Sequence, residues 1–346
     1  MEFFSKKIIS WYKDNKRDLP WRKTKDPYKI WISEIILQQT QVIQGLPYYN
    51  HFIKVFPNIR TLALADEEEV LKVWQGLGYY SRARNLHFAS KQIYKIGRFP
   101  KKYEEIIELK GVGEYTAAAI ASFAFKLPYA VVDGNVYRLL SRFYAINIPI
   151  NTSKAKQIFT KKAQKLLSNN KPDIFNQAIM EFGSQICKAK KPKCKTCPLR
   201  IECKAYSSSK IDLFPVKKLK VKEKKLYFDY FFFKKDKTTL IKKRIEKGLW
   251  QNLYEFPLIE CDEKTNNKEI LQHQKFILWT KGIEFNIESI SEFEHKLSHR
   301  IIHARFWEVN CKNKLPECSY IKINTKLITS YAVSRLTEKF LQSKIC

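Results

Sequence analysis

The stretch LKGVGEYTAAAIASFAFKLPYAVVDGN, residues 109–135, constrains the fold more than any other part of this 346-residue sequence. Gly111 and Gly113 stand one residue apart between two helical patterns, and glycine allows a tight turn and the close approach of a foreign backbone. The segment 115–125 predicts a helix, so the amides of the turn lie at a helix N-terminus, which is a favourable phosphate site. A break then leads to Asp133 in an apolar setting. This order of hairpin, helix and carboxylate favours chemistry on a nucleic acid.

The charge of the chain supports a polyanionic partner. Its 64 Lys and Arg residues exceed its 34 Asp and Glu residues, which gives a net charge of +30, and nucleic acid fits such an excess. The amphipathic N-terminus lacks the apolar core of a secretion signal, and no apolar run approaches a membrane span. We therefore expect an intracellular, cytoplasmic protein that associates with the nucleoid and has no membrane partner.

The sequence predicts two domains joined by a linker. Residues 1–206 carry helical periodicity, and residues 207–225 form a serine- and lysine-rich linker. Residues 226–346 mix strand and helix patterns, which predicts a small α+β domain. The predicted helices lie at 66–76, 82–96, 115–125, 153–168, 173–186, 268–279 and 331–342. The predicted strands lie at 226–233, 238–241 and 301–309.

Four of the eight cysteines are spaced C-x6-C-x2-C-x5-C within the loop 187–203. Four thiolates in so short a segment suit one tetrahedral metal ion or one iron–sulfur cluster. Zinc sites usually carry two CxxC pairs, whereas this loop carries one. Lysines interleaved with the cysteines can present a basic loop to phosphates. The cysteines are Cys187, Cys194, Cys197 and Cys203.

The hairpin, Asp133 and the cysteine spacing together resemble the endonuclease III superfamily of helix-hairpin-helix DNA glycosylases. Segments specific to its adenine DNA glycosylase (MutY-type) branch are LPWR at 19–22, ISEIILQQTQV at 32–42 and GLGYYSRARNL at 76–86. The resemblance implies a mainly α N-terminal helix-hairpin-helix glycosylase domain with an iron–sulfur loop that binds a [4Fe–4S] cluster, followed by a small α+β Nudix-like domain. It also implies a monomeric enzyme that removes adenine mispaired with 8-oxoguanine or guanine in double-stranded DNA.

The same resemblance implies roles for individual residues. Glu34 is similar to the family's acid and Asp133 to its second carboxylate, with Tyr115 and Asn135 as their polar partners. Adenine leaves readily only when its ring is protonated, and the sugar left behind is oxocarbenium-like, so one carboxyl must be an acid and the other ionised. The apolar helix around Glu34 predicts a raised pKa. The adenine pocket is matched by Trp21, Arg22, Leu37 and Gln177. The DNA contacts are matched by Gln39, Tyr79, Gly111, Val112, Gly113, Ser298 and His299.

Tyr115 separates this chain from the lyase members of the superfamily, which carry a lysine at that position. A phenol cannot form an imine, so the sequence predicts a monofunctional glycosylase that leaves an abasic site. An endonuclease III-type pyrimidine glycosylase/lyase and a non-catalytic DNA-binding module are the alternatives. The family usually has proline where this chain has Lys110. The second domain lacks the glutamate-rich helix of a Nudix hydrolase. We therefore expect it to recognise a base, through Ser298 and His299, and to have no hydrolase activity of its own.

Overall fold

The computed structural model describes residues 2–167, 171–218, 223–297 and 299–344. Contacts between Cα atoms divide the chain into two compact units. The first contains Met1–Leu64 and Asn85–Leu219, and the second contains Ala65–Arg84 and Lys220–Cys346. This grouping differs from the predicted linear division in placing residues 65–84 with the C-terminal unit. No helix in the described ranges is long and apolar enough to cross a membrane.

Helices dominate the described part of residues 2–218, as the sequence predicts. The helices in this part of the chain are α1 (Glu2–Asn15), α2 (Pro27–Ile36), α3 (Val42–Val55), α4 (Ile59–Leu64), α5 (Glu67–Val73), α6 (Ser81–Ile96), α7 (Tyr103–Ile106), α8 (Glu114–Phe125), α9 (Gly134–Tyr144), α10 (Ser153–Leu166), α11 (Pro172–Gln185) and α12 (Lys204–Ser207). The predictions at 82–96, 115–125, 153–168 and 173–186 are confirmed to within two residues at each described end, and residue 168 lies outside the described residues.

The core of the first unit fixes α9 and α11, the two helices that bear on the candidate site. Phe4 of α1 meets Phe143 of α9 with ring centroids 4.8 Å apart. Gly183 of α11 is required because a Cβ there would lie 2.9 Å from the Cβ of Asn135. Such a separation is closer than packed carbon atoms tolerate, so glycine lets α11 approach the first turn of α9.

The second unit is built on a seven-stranded sheet. Its elements beyond residue 223 are β1 (Lys224–Lys235), β2 (Thr238–Lys243), β3 (Tyr254–Glu255), β4 (Leu258–Cys261), α13 (Asn267–Leu271), α14 (Gln274–Thr280), β5 (Phe285–Lys296), β6 (Arg300–Cys311), β7 (Ile321–Asn324) and α15 (Arg335–Gln342). The strand order is β3-β2-β1-β6-β5, with β4 paired to β1 and β7 paired to β2. Strand β1 is parallel to β6, and β5 is antiparallel to β6.

The aromatic run of β1 is buried on both faces of this sheet. Phe231 contacts Phe276 of α14 at 5.0 Å between ring centroids, whereas Phe232 contacts Phe340 of α15 at 5.7 Å. A strand covered on both faces has no polar alternation, which explains why residues 230–233 form one continuous aromatic run. The predicted α+β class of this part is confirmed.

Several predicted boundaries in the second unit are wrong. The helix predicted at 268–279 is two helices, because His273 ends one and caps the next by accepting a hydrogen bond from the backbone of Lys275. Strand β5 is not among the predicted strands, although alternating apolar and polar residues are typical of a strand, and every one of its positions is exposed or half-buried.

Two helix ends also differ from the prediction. The helix predicted at 331–342 begins at Arg335, because residue 332 accepts a backbone hydrogen bond from Tyr254 and Val333 forms a bridge with the same residue. The helix predicted to reach Gly76 ends at Val73. Gly76 has a φ of 90°, which an α-helix cannot contain.

Candidate functional site

A cavity of about 950 Å³ opens in the first unit, and its lining brings together the predicted catalytic residues, the predicted adenine-pocket residues and Gln39. Helix α2 and the turn after it supply one wall, and the starts of α8 and α9 and the middle of α11 supply the other. The predicted site residues that line this cavity are Trp21, Arg22, Glu34, Leu37, Gln39, Tyr115, Asp133, Asn135 and Gln177.

Glu34 is the buried acid of the cavity. It lies in α2 with 6% of its surface exposed, and its Oε2 accepts a hydrogen bond of 2.9 Å from the hydroxyl of Tyr115. Burial raises the pKa of Glu34 to about 7, although the bond from Tyr115 opposes the rise. Desolvation disfavours the charged carboxylate, so the raised pKa that the sequence predicts is confirmed.

Asp133 is half-buried and has a different set of partners. It is the N-cap of α9, and its Oδ1 accepts from the backbone amides of Asn135 at 2.9 Å and Val136 at 2.8 Å. Its Oδ2 accepts from Asn135 Nδ2 at 2.7 Å. Burial raises the pKa of Asp133, while these three bonds lower it. Three donors and a helix N-terminus favour the ionised form of Asp133, whereas Glu34 accepts a bond from the Tyr115 hydroxyl and is more deeply buried, so Glu34 holds its proton more readily than Asp133.

Glu181 is a cavity residue that sequence reasoning missed. Its side chain is 1% exposed, and it accepts from Arg17 Nε at 2.6 Å and from Arg22 Nη2 at 2.6 Å. Burial alone would raise the pKa of Glu181, but the two arginines outweigh it and hold the pKa at about 2. Glu181 lies four residues after Gln177 on α11, which places both on one helix face. This four-residue spacing from Gln177 is the sequence signal that could have identified Glu181.

Tyr12 of α1 fixes the orientation of the Gln177 side chain. The hydroxyl of Tyr12 donates to Gln177 Oε1 at 2.7 Å, and the guanidinium of Arg22 lies 5.6 Å from the centre of the Tyr12 ring. Because the amide oxygen is engaged, the Nε2 group is the part of Gln177 left to donate to a ligand.

The predicted hairpin is confirmed as a tight turn before α8. Gly111 has a φ of 78°, and a Cβ there would lie 2.6 Å from the Cβ of Asn85. Gly113 is the N-cap of α8, and a Cβ added there would meet nothing within 4 Å. Val112 between them is buried and anchors the turn. The amide of Lys110 donates to Gln92 Oε1 at 2.9 Å, a bond that a proline could not make.

The four cysteines lie on the loop between α11 and α12, beside α9. Arg142 of α9 donates to Cys187 Sγ at 3.5 Å, and Arg138 donates to the Cys187 carbonyl at 2.7 Å. The thiols influence one another electrostatically, and burial raises the pKa of Cys197 to about 11. Within the described ranges, no three Cys, His, Asp or Glu side chains converge closely enough to hold one metal ion. Four thiols on one short loop beside α9 supply the ligand type that an iron–sulfur cluster takes.

Two of the predicted DNA contacts belong to the second unit and not to the first. They are Tyr79 and His299, and both are exposed. Ser298 lies outside the described residues. Tyr79 and the cavity residue Gln39 share one feature, because both have a positive φ, of 51° and 56°. Non-glycine residues rarely adopt this conformation, and it often marks functional positions.

Comparison with known proteins gives two family matches and several similar proteins. The HhH-GPD superfamily base excision DNA repair protein family matches residues 32–166, and the NUDIX domain family matches residues 230–343. An adenine DNA glycosylase from Buchnera aphidicola subsp. Baizongia pistaciae (strain Bp) is 38% identical over 309 residues, which cover 87% of this chain and 84% of that protein. An adenine DNA glycosylase from Buchnera aphidicola subsp. Acyrthosiphon pisum (strain APS) is 37% identical over 307 residues, with the same two coverages of 87% and 84%. A solved thermostable thymine-DNA glycosylase is similar with a TM-score of 0.55 and 30% identity, over 59% of this chain and 95% of that chain.

Proposed function

The chain belongs to the adenine DNA glycosylase family, and we propose that it removes adenine paired with 8-oxoguanine or guanine from double-stranded DNA and leaves an abasic site. It is a DNA glycosylase, an enzyme that hydrolyses N-glycosyl bonds. The observation that carries the proposal is the pair of carboxyl groups in one cavity, the buried Glu34 with a pKa of about 7 and the half-buried Asp133 with three hydrogen-bond donors.

Glu34 supplies the proton that makes adenine a good leaving group. A carboxyl with a pKa near neutrality is about half protonated at the working pH, which suits a general acid. The Tyr115 hydroxyl donates to one Glu34 oxygen, so it holds the carboxyl in place and leaves the other oxygen for the ring nitrogen of the base. Glu34 therefore protonates the adenine ring as the glycosidic bond breaks.

Asp133 stabilises the positive charge that develops on the sugar. Its bonds to Asn135 and Val136 keep it ionised and aimed from the first turn of α9. A fixed carboxylate stabilises an oxocarbenium-like sugar more strongly than mobile water does. A water molecule then adds to the anomeric carbon, and its proton returns to the Glu34 carboxylate that protonated the base. Arg138 in turn donates to Asn135 Oδ1 at 2.8 Å and orients the amide that holds Asp133.

Adenine binds between the apolar side chains of the cavity and a few oriented polar groups. Trp21 and Leu37 provide apolar surface for the flipped base, and extrusion of the base is required because the glycosidic bond is otherwise enclosed in the duplex. The Nε2 group of Gln177, oriented by Tyr12, donates to a ring nitrogen of the purine, and Arg22 is held at the cavity by Glu181.

In this proposal the hairpin binds the phosphate backbone, and two side chains insert into the duplex. The amides around Gly111, Val112 and Gly113 lie at the N-terminus of α8, where a phosphate is favoured. Gln39 and Tyr79 enter the duplex from their left-handed positions and fill the space that the extruded base leaves. Base stacking on an aromatic ring contributes about 1–3 kcal/mol.

The enzyme is monofunctional in this proposal. The side chain at 115 is a phenol that donates to Glu34, so it supplies no amine for an imine. Lys188 also lines the cavity and is exposed. Borohydride trapping of the enzyme on its substrate therefore tests the proposal directly, and a covalent complex that disappears in Lys188→Ala would contradict it.

Cys187, Cys194, Cys197 and Cys203 hold a [4Fe–4S] cluster in this proposal, as the family resemblance implies. Iron binds the deprotonated thiolates, and Arg142 and the interleaved lysines offset their charge. With the four cysteines holding a cluster, the basic loop 187–203 would present a rigid surface to phosphates. The Nudix-like unit recognises the base opposite adenine through Ser298 and His299, and the enzyme acts as a monomer on chromosomal DNA.

A panel of duplexes tests the proposed substrate. Each duplex contains one adenine opposite 8-oxoguanine, guanine or thymine, and free adenine is measured under single-turnover conditions. We expect the fastest release opposite 8-oxoguanine, slower release opposite guanine, and little opposite thymine. Equal rates on all three duplexes would contradict the mispair specificity, and no release from any of them would contradict the proposed activity.

A further inference from the structure

The loop that carries Tyr79 has a strained backbone. Gly76, Gly78 and Tyr79 have φ values of 90°, 77° and 51°. Tyr79 lacks the freedom of glycine, and one such residue costs about 1–2 kcal/mol. The ring of Tyr79 is 48% exposed. Surrounding contacts must therefore hold the loop in this conformation.

Part of that support comes from within the loop and its flanking helices. The Gly78 carbonyl accepts from Trp74 Nε1 at 3.0 Å and from Arg82 Nη2 at 3.2 Å. The guanidinium of Arg82 lies 5.2 Å from the centre of the Tyr79 ring and 5.3 Å from that of Trp74. These contacts fix the carbonyl before Tyr79 and one face of its ring.

Further hydrogen bonds to the loop come from Val333, which lies in the C-terminal segment just before α15. The buried hydroxyl of Tyr80 accepts from the amide of Gly76 at 3.3 Å and donates to the Val333 carbonyl at 3.1 Å. Gln75 Oε1 accepts from the Val333 amide at 3.3 Å, and Gln75 Nε2 donates to Glu338 at 3.3 Å. The Val333 carbonyl is therefore bonded to Tyr80 and the Val333 amide to Gln75, and these two residues flank the turn at Gly76.

Val333 is itself held by the sheet. It forms a parallel bridge with Tyr254, and the amide of Tyr254 donates to the carbonyl of Ala332 at 2.8 Å. Val333 is 3% exposed. A residue fixed by the sheet on one side and bonded to the loop on the other can transmit a fixed position to that loop.

We infer that Tyr80 and Gln75 are positioning residues that hold the Tyr79 loop against Val333 and so determine how well Tyr79 enters DNA. The inference rests on the proposed function, in which Tyr79 contacts the duplex. It gives the C-terminal segment a role in duplex opening that is separate from recognition of the opposite base. The competent loop conformation becomes less populated when the bridge is lost, and apparent affinity falls in proportion.

Tyr80→Phe tests the inference, because it removes the bridging hydroxyl and keeps the buried ring. Affinity is measured on a duplex with a non-hydrolysable adenosine analogue opposite guanine. The variant loses the hydrogen bonds to both the Gly76 amide and the Val333 carbonyl, which predicts about fivefold to tenfold weaker binding. Tyr254→Phe is the matched control, because its hydroxyl donates to Glu68 instead of the loop, and it should bind within about twofold of wild type.

The decisive comparison repeats Tyr80→Phe in a Tyr79→Ala background. If Tyr80 acts through Tyr79, the second substitution should change affinity by less than about twofold, which is the non-additivity expected of coupled residues. The same fivefold to tenfold loss in both backgrounds would show a general stability effect and overturn the inference. Wild-type affinity in Tyr80→Phe, or in Tyr79→Ala, would also overturn it.

Gln75→Met provides a second route if Tyr80→Phe does not fold, because it removes the bonds to Val333 and Glu338 and keeps the side-chain length. It should show the same dependence on Tyr79. Adenine release by the wild-type enzyme is assayed separately. Absence of release would contradict the proposed activity but not the coupling, which is measured from binding alone.

Discussion

Glu34→Gln should make the protein more stable while it removes the catalytic acid. The pKa of Glu34 is raised from 4.5 to about 7 by burial, which corresponds to about 3.4 kcal/mol at 1.36 kcal/mol per pH unit. Because the folded-state value is above the unfolded value, ionised Glu34 destabilises the fold, and the cost grows as pH rises from about 4.5 to 7 and then stays constant. Glutamine has no charge, and its Oε1 can still accept from Tyr115.

The assay is urea unfolding of the helical unit, followed by circular dichroism at about pH 5 and about pH 8. Linkage predicts that the difference in unfolding free energy between Glu34→Gln and wild type grows by about 2.5 kcal/mol across that range, in favour of the variant. The new amide adds only a contribution that does not depend on pH, so the slope is the test.

Glu181→Gln is the matched control, in the same cavity and with the same substitution. The pKa of Glu181 is lowered to about 2, so its stabilising contribution is fully present above about 4.5 and is lost only as pH falls toward 2. The variant should be less stable than wild type by about 3 kcal/mol at both pH values. A flat difference for Glu34→Gln, or a slope of the opposite sign, would refute the assignment of Glu34 as a buried acid.

Three further predictions concern the rate, the hairpin and the cysteine loop. The rate of single-turnover adenine release should fall as pH rises above about 7, because Glu34 loses its proton. The rate should also fall at low pH as Asp133 becomes protonated, and this fall should begin above the usual pKa range of aspartate, because burial raises the pKa of Asp133. A pH-independent rate would contradict this prediction. Gly111→Ala should lower the free energy of unfolding by about 1–3 kcal/mol, because alanine is strained at this φ, and should also weaken duplex binding. Gly113→Ala should fold normally and weaken only duplex binding. Thermal unfolding measures the first effect, and fluorescence anisotropy measures binding. Serine at Cys187, Cys194, Cys197 or Cys203 should abolish a visible absorption band that Cys261→Ser retains, and an unchanged band in all four variants would exclude a cluster at this loop.

The sequence was sufficient for the fold class and for naming the nine predicted site residues that line the cavity. The hairpin and its helix could be predicted because glycine spacing, an N-cap and an alanine-rich helix are local signals. The sequence separates Glu34, Tyr115 and Asp133 by about twenty to a hundred residues. All three were identified from the family resemblance, and all three line one cavity in the structure. The roles of these residues stay predictions until the variants are measured.

The sequence could not reveal contacts that depend on distant parts of the chain. Glu181 reads as an ordinary helical glutamate until Arg17 and Arg22, more than 150 residues earlier, are placed beside it. The aromatic run at 230–233 predicts a strand but not the second covered face. The late start of α15 at Arg335 depends on pairing of residue 332 with Tyr254, and no local periodicity encodes that pairing.

The most direct test of the central claim is the rate of adenine release by Asp133→Asn and Glu34→Gln, measured beside duplex affinity on an adenine opposite 8-oxoguanine. Asparagine keeps the N-cap oxygen that accepts from Asn135 and Val136, so the fold and the DNA-binding surface should persist. Each variant should release adenine at least about 10²–10⁴-fold more slowly than wild type while affinity stays within about threefold. Release at the wild-type rate by either variant would contradict the division of roles between Glu34 and Asp133.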